Sequence, residues 1–272
     1  MRALFRVFLL VMVLSFVLSA SGEAQVGFRV KGGFSYIAYG EYNDFADNNN
    51  EMLLEAKIAG AEYDNMNWVP EFGGEVTLSV IPTVTVGLGA GMILGTADFA
   101  FSMVTLNANY EHKMKAYPIT ATGYFKPAVP FTFAKPFFFG GIGLYYSKLT
   151  FSESYESSVV MPDTTSYDSE LTKCGFGLHG GAGIEFVIAP MVSFELCVMG
   201  RWVDIKGYEG TRTRADGTSE DVYLAYDSVY IARYGVDVPY YGPLSVDEKS
   251  RYEEGSVNLS GYGFTLGLRV AF

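Results

Sequence analysis

The chain ends in twelve residues that alternate between large apolar and small or polar side chains: Gly261-Tyr262-Gly263-Phe264-Thr265-Leu266-Gly267-Leu268-Arg269-Val270-Ala271-Phe272. A period of two predicts a β-strand, because successive side chains of a strand point to opposite faces. One face of this strand carries six large apolar residues: Tyr262, Phe264, Leu266, Leu268, Val270 and Phe272. Such a face suits contact with lipid, with the small and polar face turned toward the lumen of a barrel.

The same alternation marks seven further segments, so the sequence predicts an all-β, eight-stranded antiparallel up-and-down transmembrane β-barrel. The predicted strands lie at about 26–38, 67–81, 84–97, 113–126, 137–151, 171–188, 191–207 and 255–272. The connections after the second, fourth and sixth strands are short or marked by proline. Long polar outer loops are predicted between the others, at about 41–66, 98–112, 153–170 and 208–254.

This architecture resembles the small eight-stranded outer-membrane barrels of the OmpA/OmpX type, including the OmpW-like and opacity-type porin groupings. The resemblance covers essentially the whole chain after residue 24 and rests on architecture rather than on a short motif. It implies a multi-pass barrel in the outer membrane of a Gram-negative-type bacterium, with both termini periplasmic. It also implies contact with outer-membrane lipid and lipopolysaccharide, and a terminal strand that serves as the signal for the barrel assembly machinery.

The first residues agree with export from the cytoplasm. Arg2 and Arg6 precede an apolar stretch at 9–18, which small residues follow. This pattern predicts a secretory signal peptide at 1–24, removed after Ala24 or after Ala20. A transmembrane anchor is the disfavoured alternative, because the apolar stretch is too short to span a bilayer. The barrel domain is therefore predicted at 25–272.

The acidic residues concentrate in three of the predicted outer loops. The chain has a formal net charge of −11, and the loops at 41–66, 153–170 and 208–254 carry net charges of −6, −5 and −5. This distribution argues against a nucleic-acid partner, because a phosphate backbone requires Lys and Arg. An acidic outer rim could attract cations or divalent ions that bridge to lipopolysaccharide, or it could simply keep exposed loops soluble.

The alternation also predicts charged residues on the inner face of the barrel. Five bases and four acids are expected there: Arg29, Lys31, Lys126, Arg201, Arg269, Glu71, Glu75, Glu185 and Glu195. Buried charges must be paired or hydrated, so we expect a lumen charge network centred on Arg201, Arg269, Glu185 and Glu195. Such a network would plug a barrel of this size. Thirteen inward glycines argue in the other direction, because they leave space for water, a narrow conduit or side chains from the opposite wall.

Few residues in the chain have the chemistry of a catalytic or metal site. His112 and His179 are isolated, and neither is spaced for a nucleophile–base pair with serine. Cys174 and Cys197 are predicted about eight residues out of register on neighbouring strands, which is too far for a disulfide. We therefore expect two free thiols, no catalytic residue, no cofactor and no metal ion.

Three functions remain open from the sequence. The first is a small porin-like barrel that is structural or allows limited permeation of small solutes. The second is a surface adhesion barrel that binds an extracellular ligand through its outer loops, which are rich in Tyr and Ser. The third is an OmpW-like passage for apolar small molecules. In the last loop, tyrosines at 223, 226, 230 and 234 predict either a helix or an extended hairpin.

Overall fold

A computed structural model describes residues 25–55, 62–103, 106–128, 133–157, 165–231, 237–246 and 253–272. The predicted signal peptide at 1–24 lies outside the described residues. The elements are one helix and thirteen strands: β1 Gln25–Ile37, α1 Glu41–Glu55, β2 Trp68–Ile81, β3 Val84–Met103, β4 Leu106–Phe125, β5 Ala134–Ser157, β6 Thr165–Ala189, β7 Val192–Lys206, β8 Glu209–Arg214, β9 Ser219–Ile231, β10 Asp237–Ser245, β11 Glu253–Glu254, β12 Ser256–Asn258 and β13 Gly261–Ala271.

Antiparallel pairings close a ring through eight of these strands. Strands β1 to β7 pair in chain order, and β13 pairs with both β7 and β1. The register sets Phe28 opposite Val270 and Tyr36 opposite Tyr262. Within the ring, each strand therefore hydrogen-bonds to two neighbours, which removes the exposed edges of an open sheet.

The period-two pattern fixes which side chains enter the ring. On β1, Arg29 is 3% exposed, whereas the next residue, Val30, is 66% exposed. The other ring strands alternate in the same way toward the terminal end, with mainly polar residues and glycines inside and apolar residues outside. The prediction of an all-β antiparallel fold is confirmed.

The two ends of the ring differ in their connections. At the terminal end, which holds Gln25 and Ala271, β2 joins β3 and β6 joins β7 through two residues each. At the opposite end, called here the loop end, the connections carry α1 and β8 to β12. The predicted count of eight strands therefore leaves out the five strands that the last long connection contains.

Two of the predicted outer loops are mainly strand. The β3–β4 hairpin pairs through the predicted loop at 98–112, and the β5–β6 hairpin does so through the predicted loop at 153–170. Polar residues such as Ser152 and Asp168 occupy the outer face there and hydrogen-bond to each other at 2.7 Å. A strand with a polar outer face can continue beyond the apolar band into water. Such a strand has the polar composition of a loop, so composition alone predicted loops.

The first and last connections differ from the sequence expectation in other ways. Segment 41–66, predicted as a polar outer loop, begins with α1, and Asn48, Asn49 and Asn50 lie within this helix. Of the two alternatives for the last loop, the structure has the extended hairpin, because β9 pairs with both β8 and β10. Within the described part of the chain, no helix is long and apolar enough to cross a membrane.

Candidate functional site: the interior and outer face of the ring

Arg29 is the centre of a buried ion-pair network near the terminal end. Its guanidinium lies 3.0 Å from a Glu75 carboxylate oxygen and 2.6 Å from a Glu195 oxygen. The Tyr124 hydroxyl donates to Glu75 at 2.6 Å, and the guanidinium lies 4.1 Å from the centroid of the Tyr124 ring. Strands β1, β2, β4 and β7 are thus joined across the interior by charge-assisted hydrogen bonds and a cation–π contact.

Two smaller groups of charges flank this centre. Closer to the terminal end, the Glu185 carboxylate accepts hydrogen bonds from Lys126 at 2.6 Å, Arg269 at 3.0 Å and Ser193 at 2.7 Å. Toward the middle of the ring, Arg201 donates to Glu71 at 3.0 Å and to a backbone carbonyl at 2.9 Å. Each buried charge in these groups has at least one partner of opposite sign, as a low-dielectric interior requires.

The structure brings together eight of the nine charged residues that the sequence places on the inner face. They are Arg29, Glu71, Glu75, Lys126, Glu185, Glu195, Arg201 and Arg269, and together they are called here the charged half. The ninth, Lys31, has no described carboxylate within 4.0 Å. The expected centre is displaced, because Arg29 rather than Arg201 or Arg269 lies between two carboxylates.

Side chains fill most of the space that the inward glycines provide. A Cβ atom at Gly87 would overlap the Glu75 carboxylate, and one at Gly183 would overlap the Phe137 ring. A cavity of about 40 Å³ remains, lined by residues that include Lys31, Thr120 and His179. This volume accommodates water molecules but is far too small for a continuous aqueous channel. The glycines therefore make room for long neighbouring side chains.

The interior at the loop end is aromatic and apolar. Tyr42 and Phe45 of α1 point into the ring, where Tyr42 contacts the rings of His112 at 4.9 Å and Tyr241 at 5.5 Å between centroids. Tyr241 comes from β10, so two separate connections meet inside the ring. This cluster is called here the aromatic half, and its buried members include Tyr39, Tyr42, Phe45, Met66, Met114, Phe151, Leu171, Tyr208, Leu224 and Tyr241.

Side-chain amides hold the first connection in this position. Asn43 donates to the Ala38 carbonyl and to the Asn67 side chain, each at 2.8 Å, and accepts from the Met66 backbone at 3.0 Å. Asn50 makes paired hydrogen bonds with the Tyr63 backbone at 2.7 and 3.0 Å. These contacts satisfy polar groups that would otherwise be costly to bury.

The aromatic half was not predicted, although the sequence contains a signal for it. Buried residues of α1 lie at positions 42, 43, 45, 46, 49 and 53, and all but 43 have the spacing of one helical face. Asn49 interrupts the apolar pattern, and its side chain donates to the Phe45 carbonyl at 2.8 Å. The acidic composition of 41–66 favoured the prediction of a polar loop over a helix with an apolar face. The exposed acids of α1, such as Asp44, Asp47 and Glu51, lie on the other side of the helix.

Both histidines are buried. His112 stacks on Phe151 with centroids 4.2 Å apart, and its Nε2 lies 3.2 Å from the Tyr39 hydroxyl. Burial lowers the pKa of His112 to about 3, so this imidazole is neutral at physiological pH. His179 Nε2 lies 3.0 Å from the Thr122 hydroxyl.

Both cysteines are free, as predicted from their register. Cys174 is exposed, and Cys197 lies opposite Gly183 of the neighbouring strand. Among the described residues, no group of three or more His, Cys, Asp or Glu side chains could hold a metal ion.

The outer face of the ring is a continuous apolar band. Exposed large apolar residues come from every ring strand, for example Phe34 at 60%, Ile142 at 50% and Leu266 at 54%. The six apolar residues of the last strand, Tyr262 to Phe272, belong to this band. Toward the loop end the band finishes in exposed or half-buried aromatic residues, called here the aromatic girdle: Tyr36, Trp68, Tyr117, Tyr146, Trp202 and Tyr262.

Comparisons with known proteins give structural neighbours only. No family profile and no curated protein matches the sequence. Among solved structures, the chain is similar to a major outer membrane protein from Thermus thermophilus, with 9% identity, a TM-score of 0.41, and coverage of 91% of this chain and 99% of the other. It is also similar to the transport unit of the autotransporter AIDA-I from Escherichia coli, with 11% identity, a TM-score of 0.30, and coverage of 91% and 90%.

Proposed function

We propose that the chain is an outer-membrane β-barrel of eight membrane-spanning strands with a closed interior and a structural role in the cell envelope. The observation that supports this proposal is the apolar band around the whole ring. Soluble monomers rarely expose a contiguous apolar surface of this extent, whereas a spanning barrel requires one. Both termini would lie in the periplasm, and the last strand would be recognised by the barrel assembly machinery.

The distribution of polar groups supports the same placement. In a bilayer, all backbone hydrogen bonds of a spanning sheet must be made within the sheet, and a closed ring meets this condition. The ionised side chains of the band region turn inward and most of them are paired, whereas the outward positions between the girdle and the terminal end are apolar. Aromatic residues at the loop end of the band match the girdle that such barrels place at the membrane interface.

The contents of the ring favour a structural role over a porin. The charged half and the aromatic half succeed each other along the axis, and each fills its section of the ring. Solute flow would require rearrangement of both. An OmpW-like passage is disfavoured for the same reason, since the apolar upper section is occupied by α1 and Tyr241. The proposal includes no catalytic step.

Tryptophan quenching in lipid vesicles tests the membrane placement. The chain has two tryptophans, Trp68 and Trp202, and both are exposed in the aromatic girdle. After refolding of residues 25–272 into vesicles, lipids brominated near the headgroup should quench both residues more strongly than lipids brominated near the chain ends. A folded protein that remains outside the vesicles, or that shows no quenching, would overturn the proposal.

Surface attachment is a second candidate, favoured by the sheet that extends beyond the ring. Strand β8 pairs with β6, β9 with β8, and β10 with β9, so the wall continues into a hairpin. The turn at 214–218 is exposed at its tip, whereas Leu224 and Tyr241 are buried in the aromatic half. Replacing residues 214–218 with a Gly-Ser turn should abolish binding of cells to a host surface without unfolding the ring. Unchanged binding would exclude this tip.

A further inference from the structure

Two lysines lie side by side on the outer face, immediately beyond the aromatic girdle. Tyr117 of β4 and Tyr146 of β5 are directly opposite each other in the girdle, with ring centroids 6.2 Å apart. The next outward-facing residues toward the loop end are Lys115 and Lys148, which are also a directly opposite pair. Like charges at directly opposite positions destabilise a sheet unless something compensates them.

The chain itself compensates only part of this charge. Lys148 lies 2.6 Å from Glu170, whose side chain is 56% exposed. Lys115 is exposed, and no described carboxylate lies within 4.0 Å of its ammonium group. In the next row outward, Lys113 is paired with Glu111 at 2.6 Å. A positive charge is therefore left over at the level directly beyond the girdle.

Charge on this face is layered along the ring axis. The row beyond the girdle contains Leu94, Lys115, Lys148 and Thr172 in register, and Glu209 of β8 follows opposite Thr172, two strands away from Lys148 and three from Lys115. Two rows further out, Asp98 is opposite Glu111, and Ser152 is opposite Asp168. The two lysines thus lie where lipid headgroups would be, and Asp98, Glu111 and Asp168 lie beyond them in water.

We propose that Lys115 and Lys148 bind the phosphate of an anionic lipid in the membrane leaflet at the loop end. This inference rests on the proposed function, because the girdle sets the depth of the headgroups. Two ammonium groups suit a phosphate, since each donates charge-assisted hydrogen bonds to its oxygens. The Thr172 hydroxyl lies in the same row, and the exposed Tyr117 and Tyr146 rings would pack beneath the headgroup. The lipid phosphate supplies the negative charge that the Lys115–Lys148 pair lacks.

Binding of defined lipids to the refolded protein tests this site. The wild-type chain in detergent micelles is titrated with lipid A that carries both phosphates, with dephosphorylated lipid A, and with inorganic phosphate. The variant Lys115→Gln/Lys148→Gln is compared with Lys135→Gln/Lys206→Gln, which removes the same charge from exposed lysines elsewhere on the ring. Binding is read from intrinsic fluorescence and from the thermal unfolding midpoint.

The expected result is tight binding of the phosphorylated lipid alone, reduced at least about tenfold in Lys115→Gln/Lys148→Gln and unchanged in the control variant. Equal binding of dephosphorylated lipid, an equal response to inorganic phosphate, or equal loss in the control would overturn the inference. The tryptophan experiment separates the two proposals. A protein that inserts with both tryptophans at the interface but ignores the lipid phosphate keeps its proposed function and loses only this site.

Discussion

The charged half and the aromatic half fill the same ring by opposite means. The charged half is built from side chains of the ring strands and of Lys126, which directly follows β4, whereas the aromatic half depends on residues from α1 and β10, which belong to the connections. Ion pairs need precise partners and leave a costly charge when one partner is lost, but apolar packing loses stability in proportion to the volume removed. The ring is therefore closed near the terminal end by side chains of its own strands, and at the loop end by residues of the connections.

The largest effect is expected in the charged half, at Arg29. Arg29→Met would leave Glu75 and Glu195 buried without their shared partner, and we expect the free energy of unfolding to fall by about 4 kcal/mol. Urea unfolding in detergent micelles measures this loss. Lys31→Met is the matched control, because Lys31 is on the same face of β1 but has no described carboxylate within 4.0 Å. Equal losses in the two variants would show that the ion pairs do not matter.

Tyr42 tests the aromatic half in the same way. Tyr42→Ala would remove a ring that contacts His112, Phe45 and Tyr241, and we expect a loss of about 3 kcal/mol. Hydrogen exchange should increase in α1 and β10 while the ring strands near the terminal end stay protected. Leu54→Ala, on the same helix but 79% exposed, should change stability by less than about 0.5 kcal/mol. Exchange that increases uniformly over the whole chain would contradict the division into two halves.

Arg269 offers a finer test of the charged half. Arg269→Ala would leave Glu185 with Lys126 and Ser193 as hydrogen-bond donors, so the carboxylate keeps part of its compensation. We expect a loss of about 2 kcal/mol, smaller than that of Arg29→Met, and a lower temperature for the heat-induced shift in gel mobility. A loss larger than that of Arg29→Met would place the centre of the network at Arg269.

The last test is a pH dependence that arises in the aromatic half. The pKa of His112 is about 3 in the folded protein, below its ordinary value of 6.5, so the unfolded chain binds the extra proton first. Stability from neutral His112 is therefore fully present above pH 6.5, and it falls as the pH drops from 6.5 toward 3, by at most about 1.4 kcal/mol per unit.

His112→Gln isolates this dependence, because glutamine keeps a hydrogen-bonding group for Tyr39 but cannot take up a proton. Unfolding of the wild type and the variant, measured between pH 7 and pH 4, should converge as the pH falls. Parallel curves would mean that His112 is hydrated rather than buried among the aromatic rings.

The sequence predicted the strands of the ring and the orientation of their side chains much better than the contacts inside the ring. The alternation of apolar and polar residues placed Arg29 inside and Val30 outside. Once one face of a strand is known to be apolar, a period of two assigns every other residue of that strand to a face. It could not show that Arg29 reaches both Glu75 and Glu195, since Glu195 lies on a strand that is not a neighbour of β1. Which partners an inward side chain reaches across the ring depends on its rotamer and on the space left by glycines. The alternation of residues along a strand encodes neither of these.

The loops were predicted least well, for a different physical reason. Composition identified 98–112 and 153–170 as polar, and polar hairpins extend as strands beyond the apolar band. In 41–66, the helical face of Tyr42 and Phe45 was hidden among seven acids. The spacing within α1 marks such a face, but its burial depends on Tyr241, which lies about 200 residues further along the chain, so no local pattern could show what covers it.

Single-channel recording is the most direct test of the closed interior. Refolded protein, shown by tryptophan quenching to be inserted, is placed in a planar bilayer in concentrated potassium chloride. We expect a silent membrane for the wild type, because the charged half and the aromatic half both block the axis. Steady, long-lived openings of the wild-type protein would contradict the account and show that the ring contains a water path.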